Sequence, residues 1–270
     1  MGHDGAMTSQ SVTIGVPVSP YQQSGSTVRF EWGLTGAMAV AAGASVVVVI
    51  DVLSFTTTVS VAVDQGLEVF PYRFRDATAA AFAASRGAVL AVGRREAGAS
   101  GVSLSPLSIR QAPRDGTLYR SGKLVLPSPN GSAIARQLGR SVPVVAACLR
   151  NAAAVARWIA GCAPGGPVAI VAAGERWPGD LLRPAVEDLW GAGAVIAELT
   201  AAGFTGLSPE AASAAASFDA VSGSLQTALT ECASGRELAE DGFAAEIAVA
   251  TEWNASSSVP VLVGESFRAA

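Results

Sequence analysis

Five consecutive apolar positions at 46–50, four valines and an isoleucine, are followed by Asp51 and then by a polar stretch holding Ser54, Thr56, Thr57 and Thr58. A run of β-branched aliphatics with no polar alternation reads as a strand covered on both faces, the situation of a parallel sheet. Similar apolar runs recur near 12–16, 67–70, 88–92, 124–126, 142–146, 168–172 and 259–263. Between them lie helix-spaced patterns near 34–42, 56–65, 76–85, 131–138, 151–160, 184–192, 209–217, 224–232 and 235–251. This alternation predicts an α/β fold, three layers (α/β/α) around a mainly parallel or mixed sheet. The segment 28–32 alternates apolar and polar residues, as an edge or antiparallel strand would. Residues 93–121 carry no periodicity and are rich in Gly, Ser, Pro and Arg; aperiodic stretches longer than about 12–15 residues are often functional. A single domain over 11–270 is expected. The turn Pro164-Gly165-Gly166-Pro167 is where two lobes would meet, with the site between them. Residues 1–10 are polar and read as a disordered or appended tail.

Composition narrows the chemistry. Half of the 270 residues are apolar, enough for a sizeable core. No uncharged apolar run reaches the ~18 residues of a membrane span, so no membrane partner is expected. The three cysteines, Cys148, Cys162 and Cys232, are odd in number and lack C-x-x-C spacing. That argues against a disulfide framework and suits a reducing cytoplasm. His3, in the tail, is the only histidine. A Ser-His-Asp triad and a histidine-bound metal are thereby excluded, and any metal must take oxygen ligands, which favours Mg²⁺. The net charge is −4, unevenly spread: residues 94–157 hold ten basic residues against two acids, residues 158–270 four against fourteen. A basic middle suits an anionic ligand and an acidic remainder can supply cation ligands. Nucleic acid is not expected, because Lys123 is the only lysine and aromatics do not interleave with the arginines.

In open α/β sheets, ligands bind outside the carboxyl ends of the strands. Asp51 stands at such an end, as a metal ligand or reacting group, or else as a helix cap. The turn Pro129-Asn130-Gly131-Ser132 joins a strand to a helix start, where unpaired N–H groups and a positive dipole favour phosphate or carboxylate. Arg150, followed by Asn151 as a candidate cap, follows the 142–146 strand; its guanidinium suits an oxyanion, or a surface ion pair. Glu187 and Asp188 fall near a helix N-terminus, where carboxylates stay ionised; being about 100° apart, one of them is expected to face a site. Glu96, beside Arg94 and Arg95, reads equally as a ligand or a salt-bridge partner.

Taken in order, several of these blocks resemble the 2-phosphosulfolactate phosphatase family. They are Val49-Ile50-Asp51-Val52-Leu53 with Thr56-Thr57, Ser105-Pro106, Pro129-Asn130-Gly131-Ser132, Leu149-Arg150-Asn151-Ala152, Ala173-Gly174, Glu187-Asp188-Leu189 with Ala192-Gly193, Ser234-Gly235-Arg236-Glu237-Leu238, and Val259-Pro260. The resemblance implies Mg²⁺-dependent hydrolysis of the phosphate ester of a small anionic 2-hydroxy acid. It implies metal ligation by Asp51 and one of Glu187 or Asp188, with Glu96 as a candidate further ligand. Substrate contacts then fall to Ser54, Thr56, Thr57, Asn130, Gly131, Ser132 and Asn151, and Asp51 and Arg150 become the catalytic pair. The attacking group is either cation-activated water or Asp51 itself, and both stay open. This chain departs from the family pattern twice: Ser54 stands where the family turn carries arginine, and Ser103-Leu104-Ser105-Pro106 where its loop reads G-N-S-P. The alternatives are a non-catalytic anion-binding protein that keeps the fold, or an enzyme of another class, such as a sugar-phosphate isomerase. A homodimer is the base-rate expectation for an enzyme of this kind.

Overall fold

The computed structural model describes residues 19–73, 76–98 and 101–270. The tail at 1–10, with His3, and the expected strand at 12–16 lie outside the described residues. Nine strands form one sheet: β1 (Val28–Trp32), β2 (Val46–Ile50), β3 (Glu68–Tyr72), β4 (Val89–Leu90), β5 (Lys123–Pro127), β6 (Val144–Ala147), β7 (Val168–Ala172), β10 (Pro260–Val263) and β11 (Ser266–Ala269). The remaining two, β8 (Glu175–Arg176) and β9 (Leu182–Arg183), make a separate small hairpin.

The nine-stranded order is β1-β7-β2-β6-β10-β11-β3-β5-β4. The strands β1, β7, β2 and β6 are mutually parallel, and so are β3, β5 and β4. The C-terminal hairpin β10–β11 joins the two groups, and each junction is a single antiparallel bridge, Val261 to Val145 and Phe267 to Val69. The sheet is thus mixed and mostly parallel, as the sequence pattern predicts. The strand β1 is at the sheet edge, paired in parallel rather than antiparallel fashion. The turn at 164–167 leads into β7, which lies between β1 and β2, so both sides of that turn build the same parallel group.

The unbroken valine run of β2 is explained by helices on both of its faces. Val46, Val48 and Ile50 pack with Ile159, Val195 and Leu199, from helices Ala152–Cys162 and Val186–Ala201. Val47 and Val49 pack on the other side with Val40, Val59 and Ile134, from helices Gly33–Val40, Phe55–Asp64 and Gly131–Leu138. The second parallel group has Phe70 and Val125 covered by Phe82 and Ala83 of helix Ala77–Arg86. Three layers therefore hold across the sheet. No helix among the described residues is long and apolar enough to cross a membrane.

Candidate active site

Asp51 follows β2 directly, and its neighbours explain why a carboxylate is tolerated while almost fully buried. Its Oδ1 accepts the Phe55 N–H at 3.0 Å and its Oδ2 accepts the Gly131 N–H at 3.0 Å. The one side chain thus caps the starts of helices Phe55–Asp64 and Gly131–Leu138, where orphan N–H groups need acceptors. Burial pushes its pKa up to about 6, against the pull of those two N–H groups. Glu187 adds to the rise and Arg94 opposes it.

Asp188 is a second such clamp. Its carboxylate accepts the Val52 N–H at 2.7 Å and the Gly174 N–H at 2.8 Å, tying the ends of β2 and β7 together. Gly174 has a φ of +68°, and a Cβ there would lie 2.7 Å from Leu182 Cδ1, so the turn that aims this N–H at Asp188 requires glycine. Burial, with Asp51 and Glu187 adding like charge, raises the Asp188 pKa. Glu187 is buried as well, and one of its oxygens accepts the Cys232 S–H at 3.6 Å. That thiol is pushed up to about 11, first by burial and then by Glu187. Cys148 is buried in the core, and none of the three cysteines is in a disulfide.

A fourth acid, Glu175, begins β8 just beyond β7. Asn130 Nδ2 donates to it at 3.1 Å, while the Asn130 Oδ1 accepts from Arg176 Nε at 3.0 Å. Burial, then the charges of Asp51 and Glu187, push its pKa up to about 8; Arg183 pulls the other way. Arg183 donates to Ser234 Oγ at 3.4 Å, stacks 5.7 Å from the Trp177 ring centre, and has no salt bridge among the described residues. Four carboxyl groups from two strand ends and one helix therefore lie within reach of one another's charge, with Arg94 and Arg183 at the margin. Among the described residues no three acidic, thiol or imidazole groups lie close enough to enclose a metal ion by themselves.

The remaining expected site residues are engaged by the protein. The Thr56 hydroxyl donates to Asp51 O at 2.8 Å and accepts the Asp51 N–H at 2.9 Å; Thr57 donates to Val52 O at 2.7 Å. The Ser132 hydroxyl is held between the carbonyls of Tyr72, at 2.6 Å, and Ser128. Asn151 accepts the Cys148 N–H at 2.9 Å and donates to Ala146 O and Ser258 O. Arg150 is 4 % exposed along its side chain and pairs with Asp64 at 2.9 Å and with Glu252. Its Nε has no hydrogen-bond partner among the described residues. Its guanidinium is thus committed to a buried ion cluster rather than opened toward a ligand. Glu96 is exposed on the short helix Arg94–Ala97 and lines a surface hollow with Asp76, Ala79 and Pro127. The structure therefore brings Asp51, Asn130, Gly131, Glu187 and Asp188 together, and does not bring Arg150, Asn151 or Glu96 into hydrogen-bond contact with them.

Ser54 gains a cation from elsewhere in the chain. Arg94, at the start of the aperiodic segment, donates to Ser54 Oγ at 2.8 Å and is gripped by buried Glu246 through contacts of 3.0, 3.0 and 2.8 Å. Glu175, Arg183, Arg94 and Glu246 are thus the residues that the sequence reading leaves out of the site. For Glu175 a signal exists: it follows a strand end, as Asp51 does. For Arg94 and Glu246, 152 residues apart, no local pattern announces the pairing.

No curated protein matches the chain. The family model described as 2-phosphosulpholactate phosphatase matches residues 37–265, from the helix before β2 into the hairpin β10–β11. The strand-end carboxylates and the turns that hold them all fall inside that match, and the chain belongs to the 2-phosphosulpholactate phosphatase family.

Proposed function

We propose that this protein is a Mg²⁺-dependent phosphatase that hydrolyses the phosphate ester of a small anionic 2-hydroxy acid in the cytoplasm. The family name is that of a phosphoric monoester hydrolase. The observation that carries the reading further is the acidic face of buried Asp51, Glu187 and Asp188 with half-buried Glu175, where burial and like charge raise three of the four carboxyl groups. Such a face is costly to hold ionised without a counter-charge. The donors are all hard oxygens, the kind Mg²⁺ takes. Mg²⁺ is usually bound through one or two carboxylates, the substrate's phosphate oxygens and waters completing its shell. The absence of a three-ligand cage among the described residues therefore fits this ion.

Asp51 and Glu187 are the residues that would hold it, with Glu175 beside them; Asp188 joins the ends of β2 and β7 through the Val52 and Gly174 N–H groups and is the ligand in reserve. A bound Mg²⁺ would neutralise charge on the phosphoryl oxygens and make water more acidic. Arg183 supplies the cation for the phosphate's remaining charge, since no carboxylate among the described residues forms a salt bridge with it. The hairpin β8–β9 carries Glu175 and Arg183, and Asn130 ties it to the turn that Asp51 caps. Burial of these groups keeps their charges effective, because water does not screen them. The unpaired cysteines support a reducing compartment.

The test is phosphate release from a panel of 2-phospho acids with Mg²⁺ or with chelator, for the wild type and Asp51→Asn. Release is expected with Mg²⁺ only and is expected to be abolished in Asp51→Asn, which keeps one of the two N–H contacts and is expected to stay folded with stability lowered by about 0.5–2 kcal/mol. Turnover equal to wild type in that variant would remove Asp51 from the mechanism. Absence of release from every member would favour a non-catalytic anion binder.

A further inference from the structure

A second feature adjoins the acidic face. A cavity of about 290 Å³ opens on the far side of Arg94, walled by Ser103, Ser105, Ser108, Gln111 and Glu246 among others. Its size is close to the lower end of small-molecule sites, roughly 300 Å³. Arg94 belongs to both places: it donates to Ser54, three residues after Asp51, and it lines the cavity. A small substrate with its phosphate at the acidic face would extend past this guanidinium.

The cavity's charge is balanced. Arg94 is the only cation in its wall among the described residues, and both oxygens of Glu246 accept from it. The pair is mostly buried, at 18 % and 3 % side-chain exposure. The neutral groups are not all spoken for. Ser103 is 3 % exposed, yet its hydroxyl makes no hydrogen bond among the described residues. The Gln111 amide makes none either. Ser105 accepts only a long contact of 3.4 Å from the Ser108 N–H, so its own proton is free. A sulfonate or carboxylate entering here would shed water and meet a guanidinium already neutralised, so desolvation would go uncompensated. A hydroxyl or amide would pair with the Ser103 hydroxyl, which opens on the cavity and has no side-chain or backbone partner among the described residues.

We propose that this cavity receives the end of the substrate remote from the phosphate and selects an uncharged hydrogen-bonding group there, a hydroxyl or amide, over a second anion. The proposal rests on the phosphatase reading for the position of the phosphate, and it narrows the substrate class to 2-phospho acids with a neutral polar tail. Glu246 is then a specificity-determining residue, acting by cancelling Arg94.

The experiment compares kcat/KM of the Mg²⁺-loaded full chain on 2-phosphoglycerate, with its neutral hydroxymethyl end, and on 2-phosphosulfolactate. Wild type is expected to favour the former at least tenfold. Glu246→Gln, which leaves Arg94 uncompensated, is expected to swing the ratio at least tenfold toward the sulfonate. Ser103→Ala is expected to lower kcat/KM severalfold for the hydroxyl substrate alone, and serves where Glu246→Gln melts too low to assay. A wild-type preference for the sulfonate overturns the proposal, as does an unchanged ratio in both folded variants. Titration calorimetry with glycerate and with sulfolactate separates the two levels. If neither ester is hydrolysed, the phosphatase reading falls, and the cavity proposal stands only if glycerate binds the tighter of the two.

Discussion

Gly131 sets how closely the turn after β5 can approach Asp51. A Cβ at that position would lie 2.6 Å from Phe55 Cδ1 and 2.8 Å from Asp51 Oδ2. Phe55 is fully buried, and the Asp51 carboxylate is pinned by two N–H groups, so neither neighbour can yield cheaply. Gly131→Ala is therefore expected to cost ~1–3 kcal/mol of stability through overpacking and to lower phosphate-ester turnover more than tenfold by displacing Asp51. Denaturant unfolding and kcat/KM check the two halves separately. Arg150 gives the opposite pattern. It bridges Asp64 and Glu252, Arg110 also grips Glu252 at 2.5–2.6 Å, and the loop carrying Glu252 returns a Ser256 hydrogen bond to Asp64 at 2.6 Å. Arg150→Met removes the centre of this cluster but leaves Arg110 on Glu252. A loss of about 1–3 kcal/mol is expected, with KM for the phosphate ester unchanged. A KM raised tenfold at unaltered stability would restore Arg150 to the substrate.

At the scale of elements, what the sequence announces is whatever burial repeats along the chain. The valines of β2 and the apolar runs of β6 and β7 are legible because helices cover both faces, so every position must be apolar. Helices Phe55–Asp64, Gly131–Leu138 and Leu225–Glu231 sit within about a turn of their expected bounds. The predicted helix at 235–251 is instead two, Ala233–Glu240 and Ala245–Ala250, broken at Gly242 with φ +88°. The hairpin β8–β9 is illegible for a different reason: its two-residue strands bury no repeating face, and their position is set by contacts with the Pro129–Gly131 turn. Candidate site residues divide in the same way. Asp51, Glu187 and Asp188 stand at element ends and are readable, whereas Arg94–Glu246 exists only because the chain folds back on itself. The hairpin's docking is testable. Arg176 donates to Asn130 Oδ1 at 3.0 Å and to Pro129 O at 3.4 Å, and pairs with exposed Asp180. Arg176→Ala is expected to raise KM severalfold and to speed proteolytic cleavage near Trp177, which is 55 % exposed, with the melting temperature almost unmoved. Unchanged cleavage and KM would mean the hairpin holds its position by other contacts.

Across the whole molecule, the convergence of strand ends gathers acids that the unfolded chain keeps apart, and this couples stability to pH. Asp51 moves from 3.8 to about 6 and Glu175 from 4.5 to about 8 on folding, and Asp188 rises as well. Between roughly pH 4 and pH 8 the folded protein therefore retains protons that the unfolded chain has released. Folding is favoured by this uptake at the acidic end. The advantage is lost as pH climbs through the raised values, at ~1.4 kcal/mol for each tenfold change in proton affinity. In chelator, the melting temperature should fall steadily from pH 5 to pH 9. A divalent cation held by Asp51 and Glu187 replaces those protons, so the stabilisation by Mg²⁺ should be small at pH 5, where protons compete, and grow toward pH 9. Glu175→Gln removes one contributor outright and should raise the chelator melting temperature at pH 9 while leaving it nearly unchanged at pH 5. Calorimetric melts across that range decide the matter. A flat profile in chelator would show that burial and neighbouring charge do not raise Asp51, Glu175 and Asp188 in the folded chain, and a Mg²⁺ shift equal at both ends would separate cation binding from them.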